Sequence, residues 1–262
     1  MAENLHHRCN NAAAQQQSNN NINIVLLGKT GVGKSSSGNT ILGGNRFPCG
    51  RKLSAVTRES TVQRSVIGGR SVSIIDTPGF FCTNLTQEQL SREFARSVYL
   101  SSPGVHAFLF VVPFGRFTEQ EEEILEKVKK VFGKDVLKHV ILLFTYGDEC
   151  IRESMDEEID GNDVVRRVVQ SCQGYHVLNN RDLTDRQQVS DLLMKIDSIE
   201  RNQGYYTNEM YEWAQKWPWE KFWEILKSFF KAIIDFFQNV AKSFDYTKVK
   251  GKYIEFGLTK HD

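Results

Sequence analysis

Features that would direct a chain to a nucleic acid, a membrane or an oxidising exterior are scarce in these 262 residues. The formal net charge is only +1 and there is no long basic run, so a sequence-independent footprint on nucleic acid is not expected. The five cysteines (Cys9, Cys49, Cys82, Cys150, Cys172) are odd in number, widely spaced and without a CxxC pair. That pattern indicates neither a disulfide framework nor a zinc site, and a reducing cytosol fits it best. Met1-Ala2-Glu3-Asn4 begins neither an apolar signal core nor a myristoylation site, and Thr259 to Asp262 carry no prenylation cysteine. A cytoplasmic location is therefore expected. What remains is 40% hydrophobic, enough for one large domain or for a domain with an appendage.

Residues 1–20 are low in complexity, with Ala12 to Gln17 followed by a run of asparagines, and read as a disordered leader. His6, His7 and Cys9 in so polar a segment do not make a metal site. The informative stretch comes next. Ile24 to Leu27 is a short apolar run of buried-strand character, and it passes at Gly28 into a loop closed four residues later by Gly33-Lys34-Ser35. This is the spacing of a P-loop. Inward-facing backbone N–H groups surround a phosphate there, and the helix that follows, about Ser35 to Leu42, aims its positive end at it. Gly28, Lys29, Thr30, Gly31, Val32, Gly33, Lys34, Ser35 and Ser36 are the expected nucleotide-binding stretch, with Lys34 on the β- and γ-phosphates and Ser35 on Mg²⁺.

Downstream, Val62, Arg64 and Val66 alternate up to Gly68-Gly69, and Val72 and Ile74 alternate after it, which predicts a β-hairpin with a two-residue turn. It ends in Asp76-Thr77-Pro78-Gly79. An aspartate at a strand end with a glycine three residues on is what a P-loop enzyme uses to hold Mg²⁺ and to sense the γ-phosphate. Capping boxes at Thr86 and Thr118, each with its Gln or Glu three residues later, open two helices. Apolar runs at Ala107–Val112 and Val140–Phe144 are strands, followed by a helix near Val164–Cys172, a short strand at Tyr175–Leu178 and a helix capped at Thr184. This alternation predicts an α/β, three-layer P-loop NTPase with a mostly parallel sheet, a Ras-like G domain. The P-loop, Asp76 and Asp148 then all fall at carboxyl ends of strands, where ligands bind. Asp148 can accept two hydrogen bonds from guanine N1–H and its exocyclic amine, a donor pair that adenine lacks. A matched pair of this kind discriminates by roughly 10⁴ to 10⁵.

Taken together, GKTGVGKSS from Gly28, Ala55-Val56-Thr57, DTPGF from Asp76, PGVHAFLFVVPFGRFT from Pro103 to Thr118, LFTYGDE from Leu143 and YHVLNN from Tyr175 resemble the GTPases of the immunity-associated protein family (GIMAPs), distant relatives of septins and chloroplast import GTPases. The resemblance spans about Ile22 to Arg201. It implies that Thr57 joins Ser35 and Asp76 on Mg²⁺, that Gly79 and Thr145 line the nucleotide, and that Asn179 is a second contact to the base. It also implies that Arg116 acts across a nucleotide-dependent homodimer or polymer as the catalytic arginine. Two positions depart from the family pattern, and a third departs from Ras-like proteins while being usual in the family. Tyr146 stands in place of a basic residue beside the base, and Gly104-Val105-His106 in place of Gly-Pro-His. Phe80 stands where Ras-like proteins carry a water-orienting glutamine. His106 is read as a core or loop histidine and not as a catalytic one.

The expected organisation is thus a leader at 1–20, a G domain at 21–201 and a helical extension at 202–262. In the extension, Phe222, Trp223, Leu226, Phe229, Phe230, Ile233, Ile234, Phe237, Val240 and Phe244 form one apolar stripe, opposite a charged face. Charges every three or four residues exclude a bilayer span. Two readings stay open for Trp219 to Phe244: packing on the G domain or a second copy, which is favoured, and peripheral contact with an intracellular membrane. The function expected is a switch that binds GTP and GDP with Mg²⁺ and hydrolyses GTP slowly with an arginine supplied in trans. The alternative is a GTP-binding oligomeric scaffold that does not hydrolyse. A small-molecule kinase is disfavoured, since no acceptor or lid segment is evident.

Overall fold

The computed structural model describes residues 21–50, 57–79, 86–148 and 155–228. The leader, Ala55, Val56, Phe80 and the part of the C-terminal stripe from Phe229 onward lie outside the described residues. Six strands form one sheet in the order β2-β3-β1-β4-β5-β6. They are β1 (Asn21–Leu27), β2 (Thr61–Ile67), β3 (Arg70–Asp76), β4 (Ala107–Pro113), β5 (Val140–Thr145) and β6 (Tyr175–Val177). Only the β2–β3 pair is antiparallel, closed by the expected Gly68-Gly69 turn, in which both glycines have positive φ (58° and 79°). The other pairings, β1 with β3 and β4, β4 with β5, and β5 with β6, are parallel. Chain direction diverges on either side of β1, so the crevice at its carboxyl end is the topological switch point.

Alternation within the strands divides the core into two layers. Val25, Leu27, Phe108, Phe110, Leu142 and Phe144 face one side. Ile24, Leu26, Leu109, Val111, Ile141 and Leu143 face the other. The first layer is covered by α2 (Gln87–Leu100), α3 (Glu119–Phe132) and α5 (Asp163–Ser171), the second by α1 (Lys34–Leu42) and α6 (Gln187–Gln203). Both capping boxes form as the sequence predicts, at Thr86/Gln89 and Thr118/Glu121. The start of α6 differs from its expected Thr184 cap. Thr184 instead folds back on Asp182, and the carboxylate of Asp185 accepts from Gln187 and Gln188 N–H (3.0 and 3.3 Å). A 3₁₀ turn at Lys134–His139 and the short helix α4 (Met155–Asp160) have no counterpart in the sequence reading, and α7 (Glu209–Lys216) lies within the stretch expected to be a helical extension.

Beyond α7, Trp217 closes that helix and Pro218 separates it from helical residues 219–228, so the apolar stripe starts at Trp219. Phe222, Trp223 and Leu226 are buried in the first core layer, and Trp219 and Phe222 pack against Tyr99 of α2 (centroids 5.6 Å in each pair). At least this part of the stripe is therefore covered by the protein itself. Among the described residues no helix is long and apolar enough to cross a membrane.

At the amino ends of the strands, away from the phosphate loop, Asn23 N–H donates to His106 Nδ1 (3.0 Å) and His106 N–H donates to Asn23 O (2.9 Å). The Asn23 amide also bridges the carbonyls of Ser101 and Gly104, both at 3.0 Å. Nδ1 is thus an acceptor, which requires a neutral ring. Burial, reinforced by the Arg70 guanidinium and His139, pushes the His106 pKa down to about 4. The approach of Nε2 to Glu200 at 3.7 Å is then not an ion pair. Because the folded pKa lies below that of the unfolded chain, stability from this site is present above pH 6.5 and is lost as pH falls toward 4. The loss is expected to approach about 3 kcal/mol. Denaturant unfolding at pH 7 and pH 4.5 checks it: the acid penalty should shrink in His106→Gln, and an equal penalty in both proteins would refute the assignment.

Candidate nucleotide site

The loop between β1 and α1 is built on close approach. Gly28, at φ 140°, sits where a Cβ would lie 2.5 Å from the carbonyl oxygen of Val111, so only glycine allows the loop to cross β4 there. Gly33 is the N-cap of α1 and no side chain caps it, which leaves the amide groups of the first turn available to an anion. Lys34 is buried (6% exposed) and its ammonium donates to the carbonyls of Gly28 (3.2 Å) and Lys29 (2.6 Å), which curls the loop around it. Gly79, after β3, presses on the same loop: a Cβ there would overlap the backbone and hydroxyl of Thr30. Thr30 and Gly31 are exposed at the rim, and Ser36 is the third residue of α1. Thr145, at the end of β5, donates to Val32 O (3.0 Å) and ties the base-side loop to the phosphate loop.

Ser35, Thr57 and Asp76 converge as expected. Ser35 Oγ donates to Asp76 Oδ2 (2.6 Å), and Thr57 Oγ1 is 3.1 Å from both groups. Asp76 is 1% exposed, and its other oxygen, Oδ1, is buried without a hydrogen-bond partner. Burial pushes this carboxyl above the usual carboxylate range, opposed by the Ser35 hydroxyl, the Lys34 ammonium and Thr57. An orphaned buried carboxylate oxygen beside two hydroxyls is a hard-oxygen donor set. It fits Mg²⁺, an ion commonly held by one or two protein oxygens together with water and substrate phosphates. Among the described residues no group of three His, Cys, Asp or Glu offers a competing metal site.

On the base side, Asp148 lies on the loop after β5 and Asn179 on the loop after β6, joined by Gly147 N–H to Leu178 O (3.1 Å). Asp148 is ion-paired with Arg181. The Asn179 side chain accepts from Arg181 N–H (2.9 Å), whereas Asn180 turns back to α1, bonding Thr40 (2.8 Å) and Ser37 (3.1 Å). Tyr146 has φ 65°, the only positive φ outside glycine among the described residues. Arg186 caps the carboxyl end of α1 through the carbonyls of Thr40 (2.6 Å) and Ile41 (2.8 Å). Arg181, Arg186 and Gln188 have no role in the sequence reading, and Asn180 appears there only within the YHVLNN motif; the side-chain partners of Asn180, Arg181 and Arg186 lie 33 or more residues away, whereas Gln188 bonds within the adjoining loop.

Lys29 does not point to the phosphate position. Its ammonium pairs with buried Glu121 (2.7 Å) and donates to Thr118 Oγ1 (3.1 Å). Its side chain fastens the loop to the start of α3 instead. Arg116 lies just before that start, in a turn held by Phe114 N–H to Thr145 O (3.0 Å) and Arg116 N–H to Pro113 O (3.1 Å). Arg116 is exposed, and among the described residues its side chain makes no hydrogen bond or ion pair. It is not brought within the chain to Ser35, Asp76 or Lys34 by any such contact.

A mostly parallel sheet with a phosphate loop at its switch point, a hydroxyl–carboxylate cluster beneath it and an aspartate on the loop after β5 defines a P-loop protein of the G-domain class. The model of the AIG1 family matches residues 22–222, and the chain belongs to that family. It is 33% identical over 195 residues to GTPase IMAP family member 8 from Homo sapiens, an alignment covering 71% of this chain and 29% of that protein. It is 31% identical over 206 residues to immune-associated nucleotide-binding protein 4 from Arabidopsis thaliana, covering 74% and 63%. The chain thus spans less than two thirds of the length of these curated relatives. Among solved structures, Toc33 from Arabidopsis thaliana in complex with Mg²⁺ and GMPPNP superposes with a TM-score of 0.57 at 17% identity, covering 74% of this chain and 90% of Toc33. A dimerization-deficient arginine mutant of Toc33 gives a TM-score of 0.58 at 16% identity with the same coverage. At such identity the likeness establishes the fold.

Proposed function

We propose that this chain is a guanine-nucleotide switch that binds GTP and GDP with Mg²⁺ and hydrolyses GTP slowly, the reaction being completed by Arg116 of a second copy. The observation that carries the nucleotide reading is the convergence of Ser35, Thr57 and Asp76 beneath the phosphate loop, with Asp76 Oδ1 left unpaired. Mg²⁺, when bound, neutralises charge on the β- and γ-phosphates. The chain's own groups do the rest. Amides of Gly28 to Ser36 and the Lys34 ammonium bind and orient the phosphates, and Asp148 accepts from guanine.

Thr57 reaches Ser35 and Asp76 from just before β2, so a γ-phosphate and Mg²⁺ that recruit its hydroxyl would also reposition the chain at Thr57. This is how nucleotide state becomes a change of surface. Hydrolysis places a water in line with the γ-phosphate and moves negative charge onto its oxygens and the leaving β-phosphate. An arginine entering from outside can stabilise that charge. Arg116 is exposed and carried on a turn anchored to both the phosphate and base sides, which suits a group offered to another molecule. The dimerization-deficient arginine mutant of structurally similar Toc33 supports the same direction.

The test is turnover of GTP and ATP across a protein concentration series, with size exclusion in GDP and in a non-hydrolysable GTP analogue. Turnover per site is expected to rise with concentration for GTP alone, with dimers in the analogue. Flat turnover per site would sink the trans mechanism, and tight GTP binding without turnover would identify the scaffold alternative.

A further inference from the structure

Arg181 occupies the base side of the site in a way that the guanine reading alone does not require. Its backbone is fixed: the Arg181 N–H donates to Asn179 Oδ1 (2.9 Å), and almost fully buried Gln188 clamps the same loop from behind. Gln188 accepts from Asn179 N–H (2.8 Å) and donates to the carbonyls of Asn179 (3.2 Å) and Asp182 (2.9 Å). From this fixed loop the guanidinium crosses to the next one and pairs with Asp148 Oδ2. The Asp148 side chain is only 20% exposed, while that of Arg181 is 62% exposed.

A carboxylate offers about four lone-pair directions over its two oxygens. Arg181 takes one on Oδ2, and among the described residues no hydrogen bond is made to Oδ1. Room therefore remains for two donors from a base edge while the arginine stays in place. An aspartate on an exposed loop otherwise turns freely about its side-chain torsions, and two simultaneous bonds to a planar base need its carboxylate held in that plane. We infer that Arg181 is a positioning residue for guanine: it holds the Asp148 carboxylate in the orientation that accepts the base and locks the β5 and β6 loops together around it.

The inference rests on the guanine reading and goes beyond it by assigning part of the specificity to a residue that does not touch the ligand. It is tested by titrating GDP and ADP, each with Mg²⁺, into the full chain, Arg181→Ala, Arg181→Lys, Asp148→Ala and the Arg181→Ala/Asp148→Ala double variant. Arg181→Ala is expected to weaken GDP about three- to fivefold, the size of an exposed ion pair, and to leave ADP unchanged. Arg181→Lys should recover part of the loss, and Arg181→Ala should add nothing in the Asp148→Ala background. Tighter GDP binding in Arg181→Ala would show that the arginine competes with the base and would overturn the inference. An equal loss for ADP, or a loss that persists without Asp148, would also overturn it, since either marks a general structural role. If Arg181→Ala melts well below the parent, Arg181→Lys decides alone: GDP affinity at or above that of the parent overturns the proposal. A loss with Asp148→Ala but none with Arg181→Ala overturns this inference only. No loss with Asp148→Ala overturns the guanine reading as well.

Discussion

Arg116→Ala is expected to leave GTP and GDP affinity within about twofold and to lower the concentration-dependent part of turnover by on the order of 10³-fold or more. The first half follows from where Arg116 sits. Its side chain is exposed and bonds to nothing among the described residues, so its removal disturbs neither the phosphate loop nor the base loops. The second half follows from the chemistry. An arginine that meets γ-phosphate charge only in the transition state changes the rate and not the affinity, and factors of 10³ to 10⁵ correspond to about 4 to 7 kcal/mol.

The turn carrying Arg116 is well placed to keep such a group in position. Phe114 N–H is bound by Thr145 O, the strand end that also reaches Val32, and Thr118 is bound through Glu121 to Lys29 of the phosphate loop. Arg116→Lys is the informative companion, because an ammonium supplies charge without the planar fork that binds two phosphate oxygens at once. It should recover only a small part of the rate. Equal turnover in wild type and Arg116→Ala at every protein concentration, with both proteins folded, would remove Arg116 from the mechanism.

Much of this site was legible because its pieces are local. Gly28, Gly33, Lys34 and Ser35 owe their roles to backbone geometry within eight residues. Asp76 is marked by the end of a hairpin strand and by Gly79 three residues on. The capping boxes at Thr86 and Thr118 are also local, and both form. Legibility ended where a side chain had a choice of distant partners. Lys29 has the composition of a phosphate contact, yet 89 residues separate it from Thr118, to which it donates, and buried Glu121 beside that threonine takes its charge. A buried carboxylate without a cation is costly, and no spacing rule within the loop announces it.

Asn179 and Asn180 look equivalent in sequence; only the packing of α1 against their loop sends Asn180 to Thr40 and leaves Asn179 on the base side. Short elements were hidden for another reason. A six-residue helix such as Met155–Asp160 shows fewer than two turns of periodicity, too little to separate from a loop. The extension presents the opposite case: its stripe was plain, but what covers it was not. Burial of Phe222, Trp223 and Leu226 in the layer that holds α2 answers that for residues up to 228.

Lys34→Ala is expected to weaken both GTP and GDP by on the order of 10² to 10⁴-fold, since two charge-assisted contacts to phosphate oxygens are worth about 1.5 to 3 kcal/mol each. The geometry without nucleotide shows why no neighbour replaces it. Lys34 is buried under the loop, and the nearest other cation on that loop, Lys29, is committed to Glu121. The same ammonium opposes the effect of burial on Asp76, so its loss also leaves the carboxylate beneath the loop less compensated. The effect should therefore exceed a simple contact deletion and should be larger for GTP with Mg²⁺ than for GDP without it. Losing the bonds to Gly28 and Lys29 carbonyls will loosen the loop as well, so the melting temperature without ligand is measured beside the titration. A variant that folds like the parent and binds GTP within about fivefold of it would mean that Lys34 serves only to close the loop on itself.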